Sequence, residues 1–166
     1  MAGGGLLLLP ACMNEEGAVS VPLNNISITH KEEMLLAEIA EPIIPATDTP
    51  GAKALNLHQF VLKMFDDCYE KAQQEKIMAG LRQVDDFAKE TAGQRFSKLT
   101  AGEKVNVCRG MANHQSADSE LKLFLTETRR WVIKGYSTSE YVMTRLVPYE
   151  LVSGRFHGCV PVTKVV

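Results

Sequence analysis

Pro45 and Pro50, within Ile43-Ile-Pro-Ala-Thr-Asp-Thr-Pro-Gly-Ala52, rule out one continuous helix through this part of the chain. Each lacks a backbone N–H and biases the residue before it toward extended geometry. Asp48 and Thr49 have side chains suited to capping a turn, and Pro50-Gly51 is a turn signal in its own right. The sequence on both sides reads as amphipathic helix. The chain must therefore turn a rigid corner here, with helices packed against it.

The helical patterns follow from the spacing of apolar residues. Thr29 and Glu32 have capping-box spacing and open a helix from about 30 to 41, with Leu35, Leu36 and Ile39 inward and Pro42 as its stop. After the corner, Leu57, Phe60, Val61, Met64, Phe65 and Cys68 form one apolar stripe over a helix from about 55 to 71. Lys63, Asp66, Asp67 and Glu70 are expected on its wet face. Gln73 to Glu90 repeats the pattern with Ile77, Leu81, Val84, Phe87 and Ala88, and Gly93 is a natural stop. Thr100 and Glu103 cap a helix from about 101 to 113. Another runs from about 118 to 134, with Leu121, Phe124, Leu125, Thr128, Trp131 and Val132 inward and Gly135 at its end. Ser137 with Glu140 suggests a last short helix to about Leu146. Pro148, Gly154, Gly158 and Pro161 then predict an extended or coiled tail held by docking. The expectation is an all-α single domain of five to six helices with a long extended C-terminal tail.

A chain of 166 residues with 45% hydrophobic and 23% charged residues suits one globular domain. Its net charge of −2 offers no electrostatic reason to expect nucleic acid or an anionic membrane surface. The start differs in character. Ala2 to Ala11 contains Gly-Gly-Gly-Leu-Leu-Leu-Leu-Pro, followed by Cys12 and the polar run Met13 to Glu16. An apolar run of about ten residues is too short to span a bilayer but suits the core of an export signal. No Lys or Arg precedes Lys31, so residues 1–12 read as a truncated export signal, and Leu9-Pro10-Ala11-Cys12 resembles a lipobox that makes Cys12 a lipid-anchor candidate. Residues 13–28 read as a linker and 29–166 as the helical domain. Export would place the domain in the periplasm, where disulfides persist.

No residue set in the sequence is arranged for catalysis or for binding a metal or cofactor. His30, His58, His114 and His157 form no H-x-x-x-H or E-x-x-H pair, and His58 reads as a satisfied residue at the border of the core. Nucleophile-elbow, Walker A and dinucleotide-binding motifs are missing. The carboxylate pairs Asp66-Asp67 and Asp85-Asp86 fall on expected wet faces. Distant His and Cys residues can still converge, which leaves an independent enzyme or electron-transfer protein as an alternative. Among the cysteines, Cys68 on the expected inner face and Cys159 in the tail are the disulfide candidates. Their bridge would close a loop of about 90 residues and contribute up to roughly 4 kcal/mol. Three reduced, buried cysteines are the competing arrangement, and Cys108 reads as a core residue.

Two separated stretches carry a family resemblance. Ile43 to Ala52 is similar to the opening motif of the gluconate 2-dehydrogenase subunit 3 family, and Gly135-Tyr-Ser-Thr-Ser-Glu140 with Gly154-Arg-Phe-His-Gly-Cys-Val-Pro161 is similar to its closing part. Phe60 to Met64 and Asp67-Cys-Tyr69 also fit, so the resemblance extends from about Glu32 to Pro161.

The resemblance implies a non-catalytic small subunit of a periplasmic, flavin-dependent sugar or polyol dehydrogenase. It implies a large partner of the glucose–methanol–choline type that carries FAD, and a c-type cytochrome as electron acceptor. It also implies twin-arginine export, although no Arg-Arg pair precedes the apolar run here. Enzymes of this organisation oxidise gluconate, sorbitol, fructose or the 3-hydroxyl of glucosides, and a glucoside 3-dehydrogenase is the specific expectation. A lipoprotein of purely structural role is a third reading. Tyr136, Tyr141, Tyr149, Arg155 and Phe156 are the partner-interface candidates, because Tyr, Arg and other aromatics are enriched at interface hot spots.

Overall fold

The computed structural model describes residues 17–114, 119–147 and Gly154. Its helices are α1 (His30–Ala40), α2 (Leu57–Asp67), α3 (Lys71–Ala92), α4 (Ala101–Ala112) and α5 (Glu120–Ser137). A 3-10 turn at Phe96–Lys98 precedes α4, and a π-helical turn at Val142–Leu146 follows α5. Among the described residues there is no strand, as expected of an all-α domain.

Local chemistry sets several of these boundaries. Thr29 and Thr100 both form complete capping boxes: each side chain accepts from the N–H three residues on, and Glu32 or Glu103 reaches back to the cap's N–H. Gly93 closes α3 with φ 76, a conformation that favours glycine. Asn56 precedes α2 with φ 50, and Asn is among the non-glycine residues that tolerate this region. α2 is shorter than its pattern, because the chain leaves the helix at Cys68 and starts α3 after Glu70.

The long α5 is central, packed against α2, α3 and α4. Gly80 permits the closest approach: a Cβ there would stand 2.2 Å from the Glu120 carbonyl oxygen and 2.6 Å from Phe124 Cβ. The backbones of α3 and α5 therefore meet without a side chain between them. Around that contact Phe65, Phe96, Phe124, Leu36, Ile39, Leu62, Ile77, Leu81 and Met111 are fully buried. Each such side chain contributes about 1.5–3 kcal/mol through removal of apolar surface from water.

Gly135 does not end α5. It lies inside the helix, where Phe60 fills the space its missing side chain leaves: an added Cβ would stand 2.7 Å from Phe60 Cδ1. The expected cap at Ser137 is also displaced. The Ser137 hydroxyl donates back to the Ile133 carbonyl, and Ser139 receives the Val142 N–H instead.

The stripe on α2 is rotated from its expected position. Leu57, His58, Val61, Leu62, Phe65 and Asp66 face inward, while Phe60 and Met64 are half-buried and Cys68 is exposed. The cause is that α2 lies between α1 and α5, so its covered arc is wider than one apolar stripe and is centred one residue further along. Cys68, at the helix end, escapes this cover, which corrects its expected place in the core.

Candidate functional site

Residues 17–28 have no helix or strand, yet they are fastened to the helices by two buried carboxylates. Asp66, 1% exposed, accepts N–H groups from Asn24 (2.8 Å), Asn25 (2.7 Å) and Ile26 (2.9 Å). Burial pushes the Asp66 carboxyl up, but those three N–H groups, with Lys63 nearby, more than offset it and hold it below the ordinary range. This overturns the expectation of a solvated Asp66-Asp67 pair. Glu33, also 1% exposed, accepts both the N–H and the hydroxyl of Ser20. Ile26, within this arm, is buried in the core.

Glu33 also gathers two histidines. His30 Nδ1 lies 3.6 Å from one of its oxygens and His58 Nε2 lies 3.8 Å from the other. His58 is buried rather than a border residue, and its Nδ1 has no hydrogen-bond partner among the described residues. Burial lowers its pKa, Glu33 opposes that, and Lys53 adds to the lowering. A His-x-x-Glu spacing at 30 and 33 was the available signal for half of this cluster; His58 joins through tertiary packing. Among the described residues, no group of three or more His, Cys, Asp or Glu is arranged to hold a metal ion.

The corner between α1 and α2 is held by Glu41. Its carboxylate accepts from the Ala46 N–H at 3.1 Å and the Lys53 N–H at 2.9 Å, bridging the two prolines. Gly51 sits so close that a Cβ would be 2.5 Å from Glu41 Oε1 and 2.6 Å from the Ala46 nitrogen. Thr47 and Thr49, rather than Asp48, supply the local turn contacts, and the Ala52 N–H returns to the Ile44 carbonyl at 2.8 Å. Tyr136, from α5, donates its hydroxyl to Thr49 Oγ1 at 3.1 Å. The corner and the end of α5 thus form one unit.

Tyr136 is half-buried in that unit. Tyr141, one turn beyond, lines a shallow cleft of about 420 Å³ with Leu55, Ser139, Glu140, Thr144 and Arg145. Leu146 and Val147 follow at 48% and 46% exposure. Tyr149, Arg155, Phe156, Cys12 and Cys159 lie outside the described residues. A larger cleft of about 520 Å³, not anticipated in the sequence, runs between α1, α3 and the 3-10 turn, where Met34, Arg82 and Arg95 line it.

A second polar group lies between α2 and α5. The Trp131 Nε1–H donates to the Tyr69 hydroxyl at 2.7 Å, and that hydroxyl donates to Glu127. Burial and the Glu127 contact raise the Tyr69 phenol above its ordinary range. Arg130 lies over the Trp131 ring, 5.2 Å from its centroid. Cys108, expected in the core, is only half-buried against it, yet burial pushes its thiol up, to about 11.

These polar clusters fasten an arm, a corner and two helix ends of an all-α domain, and Leu146 and Val147 stay exposed where the chain leaves α5, as Met34, Val105 and Ile133 do on the helices. The pattern of gluconate 2-dehydrogenase subunit 3 matches residues 30–154, and the chain belongs to that family. No curated protein and no solved structure matches it. A family defined as a dehydrogenase subunit implies a larger dehydrogenase partner.

Proposed function

We propose that this chain is the non-catalytic small subunit of an FAD-dependent sugar dehydrogenase of the glucose–methanol–choline type, acting in the periplasm. It stabilises the flavoprotein, accompanies its export, or anchors it through a lipid on Cys12; FAD belongs to the partner, and a c-type cytochrome accepts the electrons. Oxidation at the 3-hydroxyl of glucosides is the specific activity we assign to the complex.

The observation that carries this reading is the family match over residues 30–154, which includes both the corner and the end of α5. The structure lends support in one respect. Tyr136 joins those two regions, so the cleft at Tyr141 and the exposed Leu146 and Val147 stand on a rigid base. A preordered apolar and aromatic surface loses less conformational entropy on docking.

Co-expression with the neighbouring flavoprotein, with the tag on this chain, tests the proposal. A yellow complex that reduces dye in the presence of sugar, with this chain colourless alone, is the expected result. Recovery of this chain alone, or activity from it alone, would overturn the reading.

A further inference from the structure

Part of the α2 apolar stripe is only half covered by the core. Phe60 and Met64 are half-buried and Cys68 is exposed, one helical turn apart along one edge. Cys68 Sγ lies 3.9 Å from Met64 Sδ, and Phe60 meets the half-buried Trp131 edge-on with ring centroids 6.1 Å apart. The edge is therefore apolar along its length and ends in an accessible thiol.

The chain leaves α5 at the opposite end of this edge. α2 and α5 run antiparallel, since Phe60 touches Gly135 while Tyr69 reaches Glu127. Leu55, just before α2, lines the same cleft as Tyr141 and Arg145. From Leu57 to Cys68 the helix rises about 17 Å. The chain from Val147 to Cys159 spans up to about 40 Å when extended, which leaves ample slack. The last residues, with Phe156, Val160, Val162, Val165 and Val166, have the apolar content to cover such an edge.

We propose that residues 155–166 occupy the Phe60–Met64–Trp131 edge and are fixed there by a disulfide between Cys68 and Cys159. The two thiols lose two protons and two electrons to a disulfide oxidant, such as glutathione disulfide, which leaves as two thiols. Exchange begins at the exposed Cys68 and passes through a mixed disulfide. Cys108 is a poor competitor, because burial keeps its thiol protonated.

The full chain, treated with glutathione disulfide, alkylated and digested without reduction, should yield one linked peptide pair joining Cys68 and Cys159. The pair should vanish in Cys68→Ser and in Cys159→Ser; Cys68 is exposed, so its serine variant keeps the fold. Trp131 is the only tryptophan, so its emission reports cover on this edge. Reduction should shift that emission to the red in the wild type and leave the double serine variant unchanged. Alkylated Cys68, or Cys68 linked to Cys12 or Cys108, overturns the pairing. A linked pair with no tryptophan shift overturns the placement.

Discussion

Asp66 accepts the Asn25 backbone N–H at 2.7 Å across 41 residues of sequence, the shortest of its three backbone contacts. Replacing it by Asn keeps the shape but aims an amide at donors that need an acceptor. Charge-assisted bonds to a buried group are worth more than neutral ones, so Asp66→Asn should cost roughly 3 kcal/mol. Urea unfolding checks the loss. Limited proteolysis should show residues 17–28 cut first in the variant, and an uncut arm would count against its role as the fastening point.

Acid should act on the fold in two windows. Asp66 is held below its ordinary value of 3.8, so its stabilisation is present above that value and is lost as pH falls through its lower folded pKa. His58 is also held below its ordinary value, 6.5, chiefly by burial. Unfolding releases it to take a proton, so stability falls as pH drops below 6.5 toward the folded value. His58→Gln should flatten the decline in melting temperature between neutral pH and the carboxylate range, while leaving the acid limb set by Asp66. An unchanged profile in that variant would remove His58 as its source.

Gly80→Ala decides between propensity and packing. In an exposed helix the exchange gains up to about 1 kcal/mol. Here the new methyl would meet the Glu120 carbonyl oxygen at 2.2 Å, and backbone cannot rotate away as a side chain would. α3 and α5 must separate, so overpacking should win and cost about 1–3 kcal/mol. A melt no lower than wild type would mean that the helices slide apart freely.

The helical architecture was legible because periodicity and caps agreed: Thr29-Glu32, Thr100-Glu103 and Gly93 each set a boundary where expected. The rotation of α2 was not. The stripe of Leu57, Phe60, Val61, Met64, Phe65 and Cys68 is the more apolar face, yet the covered face exchanges Phe60, Met64 and Cys68 for His58, Leu62 and Asp66, and only the placement of α1 and α5 decides that. The same blindness hid Asp66, a charged residue that is buried because a distant loop brings it three N–H donors. Gly135 misled for a related reason: glycine marks both a helix stop and a close approach, and Phe60 makes it the latter. Of the interface candidates, Tyr136 is half-buried and bonded to Thr49, a pairing across 87 residues that no local pattern contains.

That pairing separates two functions of neighbouring tyrosines. Tyr136→Phe removes the hydroxyl donated to Thr49 and should cost about 1 kcal/mol of stability, with the partner complex weakened only as far as the corner loosens. Tyr141 has no such internal bond among the described contacts and lines an open cleft beside Leu55 and Arg145. Tyr141→Ala should therefore lower recovery of the flavoprotein in co-purification while leaving the melt of the isolated small subunit close to wild type. Tyr149→Ala should extend the loss, because aromatic anchors dominate interface energy. Equal losses of stability and of binding across these variants would mean that the aromatics serve the domain's own packing, and the partner surface would then have to be sought at the Met34–Arg95 cleft.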